Sequence, residues 1–225
     1  MSHYEDEEQV AQLKQWWNEN WKALAAGLVL GLGGIYGWQE WQNHKNKVAE
    51  QASQIFDDLK KTAPDKGADL ADKLQQEFSG TPYAAHAALL MAQRLADKND
   101  WTGAQARLEW VAKNAGDRGL VKIARLRLAR VLWQEKQPEQ ALAQLDIKDD
   151  DPFAPLYQDL RGDIKLAQGD KAAARAAYQK ALDLGPAAPA REFIQRKLDD
   201  LASDAAAKPA EAPAAKPADK PAEKS

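Results

Sequence analysis

Three alanines, Ala104, Ala141 and Ala174, recur at intervals of 37 and 33 residues, each in the same local pattern. Twelve residues before each stands another small residue, Ala92, Ala129 or Gly162, and four residues after each stands a larger one, Leu108, Leu145 or Tyr178. Two copies continue three residues later with Val111 and Ala181, and the last closes on Pro186. A spacing of twelve covers the end of one helix, a tight turn and the first turn of the next, so the small residues mark where paired helices touch. The offsets of four and three keep the later residues on one face of the second helix. A unit of this length cannot bury its apolar face alone, and stacking on its neighbours supplies a continuous core. Nothing in the chain alternates with period two for long enough to be a strand, so the fold class is all-α.

Turn chemistry agrees with this period. "KND" at 98–100 and "QGD" at 168–170 break the helices within their pairs, "NAGDRG" at 114–119 absorbs extra length, and "GP" at 185–186 stops the last helix. The stretch "LRGDIKLAQGDKAAARAAYQKALDLGP" resembles the tetratricopeptide repeat, whose second helix carries an alanine, then an aromatic or apolar residue, then a closing proline. Residues 46–79 have the size of a divergent first hairpin split by "APDKG" at 63–67, with Gln75 where an apolar residue belongs. Residues 188–203, with Phe193, Ile194, Leu198 and Leu201 apolar, suit a terminal capping helix. The expectation is a tetratricopeptide-like α-solenoid of about four hairpins plus a capping helix over residues 42–203. By analogy with that repeat, the concave surface carries His86, Gln93, Arg130, Trp133, Asp159 and Asp163 as candidate groove residues. Trp133 and Arg130 are the first pair to test as interface anchors, although Trp133 also suits inter-repeat packing and Asp163 a solvated face. Residues 204–225, a proline at every fourth position among Ala, Lys and Glu, read as a disordered Ala/Pro/Lys tail.

Ahead of the repeats lies "GLVLGLGGIYGW", residues 27–38, which holds five glycines. A dinucleotide loop needs a third glycine where Tyr36 stands, and a phosphate loop needs Lys and Ser or Thr where Trp38 and Gln39 stand. No charge occurs from Ala23 to Gln39, and Trp16, Trp17, Trp21, Tyr36, Trp38 and Trp41 flank or close that run. Aromatic belts of this kind suit headgroup level, so 23–41 is expected to be a single transmembrane helix and uncleaved signal anchor in the bilayer. Residues 1–22 precede it as an N-terminal segment, read either as an interfacial helix or as a continuation of the span. Ala23, Gly27, Gly31 and Gly34 share one helical face and are expected to pack against a neighbouring membrane helix. Lys14 and Lys22 balance Lys45 and Lys47, so charge leaves the orientation open.

The chemistry available to the chain is limited. It has no cysteine, which excludes disulfides, thiolate metal sites and a cysteine nucleophile. His3, His44 and His86 lie far apart without ligand-like spacing, so no metal is expected. The formal charge of −3 advertises no surface for nucleic acid. Neither an enzyme activity nor a cofactor is expected.

Taken in order, "YEDEEQV", "NWKALAAGLVLGLGGIYGWQEW", "LRLARV" and "LRGDIKLAQGDKAAARAAYQKAL" resemble the YfgM family, ancillary subunits of the SecYEG translocon. The resemblance runs from residue 4 to about residue 202, and the proline-rich tail departs from it. It implies a single-pass protein of the bacterial inner membrane with a cytoplasmic N-terminus and a periplasmic C-terminal domain. It implies association with the SecYEG translocon and with a periplasmic, membrane-anchored chaperone of the prolyl-isomerase type, and contact with translocating polypeptides. The residues themselves also fit an anchored helical-repeat scaffold of another envelope complex, or a receptor facing the cytoplasm.

Overall fold

The computed structural model describes residues 2–207, with side-chain environments for residues 9–11 and 13–203. Among the described residues all regular structure is helical, in the order α1 Ser2–Lys61, α2 Ala68–Glu77, α3 Pro82–Asp97, α4 Trp101–Asn114, α5 Arg118–Gln134, α6 Pro138–Ala143, α7 Ala154–Ala167, α8 Lys171–Asp183 and α9 Ala188–Ala207. Two compact units divide the chain, Met1–Met91 and Ala92–Ser225, with the boundary inside α3.

In the first unit α1 is a single uninterrupted helix of 60 residues. It ends where the Thr62 N–H and hydroxyl both donate to the carbonyl of Asp58, at 3.0 and 2.7 Å, and Pro64 follows. The last part of α1 packs on α2 and buries Ala52 and Leu59 together with Ala71 and Leu74. Phe56 sets its ring 6.0 Å from Tyr83 and 6.1 Å from His86. This is the divergent hairpin expected at 46–79.

The expected transmembrane helix at 23–41 is corrected here: no helix among the described residues is long and apolar enough to cross a membrane. The physical reason lies in the composition of the run. Lys22 and Glu40 confine it to 17 uncharged residues, roughly 25 Å of helix against a bilayer core of about 30 Å. Five glycines contribute little apolar surface, and Tyr36, Trp38 and Gln39 dilute its end further. The expected signal anchor, and with it the single-pass inner-membrane localisation with cytoplasmic N-terminus and periplasmic C-terminal domain, is therefore not supported. Leu28, Val29, Leu30, Leu32 and Ile35 are instead exposed side chains on α1.

The second unit repeats one local device. Asn99, Lys136 and Gly169 all have positive φ, and these positions follow each other at 37 and 33 residues, the interval of the alanines. At each, the next N–H reaches back to close the preceding helix: Asp100 to Leu95, Gln137 to Leu132 and Asp170 to Lys165, at 2.9, 2.9 and 3.0 Å. Asp100 and Asp170 then cap the following helices, accepting from the N–H of Gly103 and Ala173 at 2.9 and 3.0 Å. Gln137 holds the equivalent place without a side-chain cap.

Packing follows the small residues. α7 lies on α8 and α8 on α9, while α5 contacts α4, α6 and α7. A Cβ added at Gly162 would overlap the ring of Tyr178, so the paired helices approach closely only because this position has no side chain. Ala174, Tyr178, Ala181 and Leu182 close a core with Ile194, Leu198 and Leu201 of α9, the expected capping helix. The Tyr157 hydroxyl donates to the carbonyl of Lys122 at 2.7 Å and ties α7 to α5; burial pushes its pKa up to about 12. α9 continues to Ala207, and the rest of the expected tail lies outside the described residues.

Two stability outcomes follow from these contacts. Gly162→Ala should destabilise the chain by roughly 1–3 kcal/mol in urea unfolding, and adding Tyr178→Leu should recover part of it, because the overlap is with the ring. Gln137→Asp should add about 1 kcal/mol by supplying the missing cap, whereas Asp170→Ala should remove a similar amount.

Candidate functional site

Between α3 and α5 the second unit opens a cavity of about 430 Å³. Ala92 and Ala96, one turn apart on α3, leave its floor wide, and Leu108 of α4 and Val131 of α5 complete an apolar base. Trp101, Gln93 of α3, and Arg127, Arg130 and Gln134 of α5 line the rest of it. Arg127 and Arg130 are exposed. Three residues separate the two arginines, which places them on one face of α5 beside Val131 and Gln134.

Next along the solenoid is a cluster of opposite charge. Asp159 and Asp163, one turn apart on α7, both accept from the ammonium of Lys197 on α9, at 2.7 and 2.6 Å. Asp163 also accepts from the Tyr178 hydroxyl at 2.7 Å. The Lys197 ammonium sits 4.6 Å from the Phe193 ring centre and 5.3 Å from that of Tyr178. Burial holds the carboxyl of Asp159 above its ordinary range; the hydrogen bond and charge of Lys197 oppose that, Asp163 reinforces it, and the more distant Arg130 lowers it. Tyr178 is pushed far up, first by burial and then by its hydrogen bond to Asp163, so it stays a donor.

The structure brings only some of the expected groove residues together. Gln93 and Arg130 line the cavity. Trp133 is half-buried on α5 and does not line it. His86 is exposed in the first unit, against Phe56. Asp159 and Asp163 are held by Lys197 rather than open to a ligand. Sequence reasoning missed Trp101, Arg127 and Gln134. The signal for Arg127 was present, since it precedes Arg130 by three residues on the same helix.

Paired helices with recurrent left-handed turns and an open groove define a helical-repeat protein of the tetratricopeptide class. A family model described as a tetratricopeptide repeat-like domain matches residues 14–203. The ancillary SecYEG translocon subunit of Escherichia coli strain K12 is 35% identical over 206 residues, covering 90% of this chain and 100% of that relative. Its namesake in Haemophilus influenzae is 35% identical over 184 residues, 80% of this chain and 90% of the relative. In Neisseria gonorrhoeae a protein of the same name is 32% identical over 207 residues, 89% and 99% of the two chains. The chain belongs to the YfgM family of ancillary SecYEG translocon subunits. Those names describe an accessory subunit and not an enzyme class.

The acidic pair gives a pH-dependent prediction. A carboxyl whose native pKa exceeds its unfolded value binds more protons when folded, so its contribution to stability falls as pH rises through the native pKa. Asp159 is already raised with Lys197 present. Lys197→Met leaves two neighbouring, partly buried carboxylates unpaired, and should cost roughly 1–3 kcal/mol at neutral pH. Unfolding curves at decreasing pH should show that deficit shrinking as the carboxyls take up protons; a constant deficit would assign the loss to packing alone.

Proposed function

We propose that this chain is an accessory subunit that associates with the Sec translocon. In that reading it presents its helical-repeat domain to newly translocated polypeptides and recruits a periplasmic chaperone of the prolyl-isomerase type. The observation that supports this most is the correspondence with proteins named as translocon subunits, which spans the entire length of the Escherichia coli relative. The groove adds a physical reason: an apolar floor with a polar rim is equipped to bind polypeptide.

We infer a second contact surface on α1. A Cβ added at Gly27, Gly31 or Gly34 meets no atom of this chain within 4 Å. With Ala23 these residues form an open strip of small side chains, along which a partner helix can approach backbone to backbone. The exposed leucines beside it give such a partner apolar surface to cover. We assign this face to a helix of the translocon.

Purification of the tagged full chain in mild detergent, with mass spectrometry of what accompanies it, tests both assignments. Translocon subunits together with a prolyl-isomerase chaperone are expected. Recovery of neither overturns the reading, and recovery of the translocon alone removes the chaperone link. Gly27→Leu with Gly31→Leu should reduce translocon recovery at equal amounts of bait; unchanged recovery removes the helix-packing role of that face.

A further inference from the structure

A second concavity in the second unit, of about 420 Å³, shares no lining residue with the cavity between α3 and α5. Its walls are the two loops that join one helix pair to the next, 144–153 and 184–187, with the first turns of α7 and α9. Pro152, Pro155, Leu156, Leu184, Pro186 and Ala190 make it apolar. Three of these are prolines, each with a fixed φ, so the wall is set before anything binds. Among the described residues of the second unit, the large apolar side chains left exposed are Leu156 and Phe193, at 39% and 52%. Leu156 lines this wall, and Phe193 stands three residues beyond Ala190 on the same face of α9. The apolar surface that the fold fails to cover in this unit is therefore gathered at one edge.

Charge narrows the occupant further. Three consecutive acids, Asp149, Asp150 and Asp151, stand in the same wall and are engaged unequally. Asp151 is held by an ion pair with Lys122 and by the N–H of Phe153 at 3.0 Å, and both draw its carboxyl below the usual carboxylate range. Asp149 meets Lys180 at 2.8 Å with both side chains about half exposed, a pair that water and salt weaken. Asp150 is exposed and makes no hydrogen bond or ion pair among the described residues. The charge left open to a partner is therefore negative. A bare metal ion does not suit it, since no group of three or more His, Asp or Glu among the described residues could hold one. A small organic cation would leave Leu156 and Phe193 uncovered. A polypeptide segment satisfies both demands, with an apolar side chain in the concavity and a lysine or arginine at the acids.

We propose that the edge formed by the 144–153 and 184–187 loops docks a basic segment of a partner protein, seating an apolar side chain against Pro155, Leu156 and Pro186 and pairing an adjacent lysine or arginine with Asp149 and Asp150. The surface belongs to the loops between helix pairs, not to the cavity between α3 and α5. It goes beyond translocon association and does not require it. The apolar wall supplies the anchor, and the acids select the sign of charge.

The test uses the full chain and four fluorescent capped peptides. Three share a Leu-Phe centre flanked by Lys, Gln or Glu, and the fourth carries Lys around an Ala-Ala centre. Anisotropy titration should give the Lys-flanked Leu-Phe peptide an affinity at least about fivefold above the Gln peptide, with the Glu peptide weakest. That preference should shrink between about 50 and 300 mM salt. The Ala-centred Lys peptide should bind at least about fivefold more weakly than its Leu-Phe counterpart. Asp149→Asn with Asp150→Asn, both at exposed positions, should reduce the Lys-flanked Leu-Phe peptide to the level of the Gln peptide. Asp199→Asn with Asp200→Asn makes the same charge change at exposed positions about 15 Å along α9 from Ala190, and should leave that affinity unaltered. Leu156→Ser should weaken the Lys and Gln peptides alike, with circular dichroism confirming the fold. A dye attached at Ala187→Cys, a unique thiol in this cysteine-free chain, should respond to the Lys-flanked Leu-Phe peptide. Equal binding of the Lys and Gln peptides, equal binding of the two Lys peptides, the same loss in both Asn pairs, or a silent dye overturns the proposal.

Discussion

Gly162 lies beneath the ring of Tyr178, and the approach of α7 to α8 at that point sets the geometry of the last repeat. The same place in the two earlier copies is held by Ala129 and Ala92, where the residue answering Tyr178 is Leu145 or Leu108. A ring needs the extra room that only glycine leaves; a leucine is compatible with alanine. Large and small residues are thus matched copy by copy. A solenoid tolerates little deviation here, because each repeat contacts only its neighbours and an error at one interface displaces everything beyond it.

The turns share this economy. One residue with positive φ, one backward hydrogen bond and usually one aspartate cap reverse the chain at 99, 136 and 169. The middle copy carries Lys136 in the left-handed region and an uncapped Gln137, two unfavourable local choices at one turn. It persists because its helices are held by other contacts. Leu145 is fully buried, and Arg161 of α7 donates to the Leu145 carbonyl at 2.7 Å. Tertiary packing here overrides weak local signals, as it commonly does for short helices such as α6.

Features that depend on neighbours in sequence were legible from it. The repeat interval, the turns, the divergent hairpin at 46–79 and the capping helix all came from patterns within some forty residues of each other. Gln93 and Arg130, candidates by the same regularity, line the cavity. Long-range partners were not legible. Nothing near Asp159 or Asp163 announces that Lys197, 38 and 34 residues away, will occupy them. Both were candidate groove residues, with a solvated face as the alternative for Asp163, and the structure pairs both with Lys197. Trp133, read either as an anchor or as an inter-repeat packing residue, is half-buried and does not line the cavity. The membrane expectation failed for another reason. Aromatic flanks and the absence of charge were weighed more heavily than the low apolarity of five glycines within a short run.

Lys197 links the core of the second unit to the charges on α7. The lysine belongs to the helix that closes the apolar core over Tyr178 and Leu182, so one element ends the solenoid and pairs with both acids of α7. Without it, two carboxylates would stand beside Arg130 and attract its guanidinium, since Asp159 already feels that charge. Arg127 and Arg130 on α5 are exposed. A terminal helix in a repeat array is usually required only to cover the last apolar face. Here the same helix also holds both acids of α7 in ion pairs.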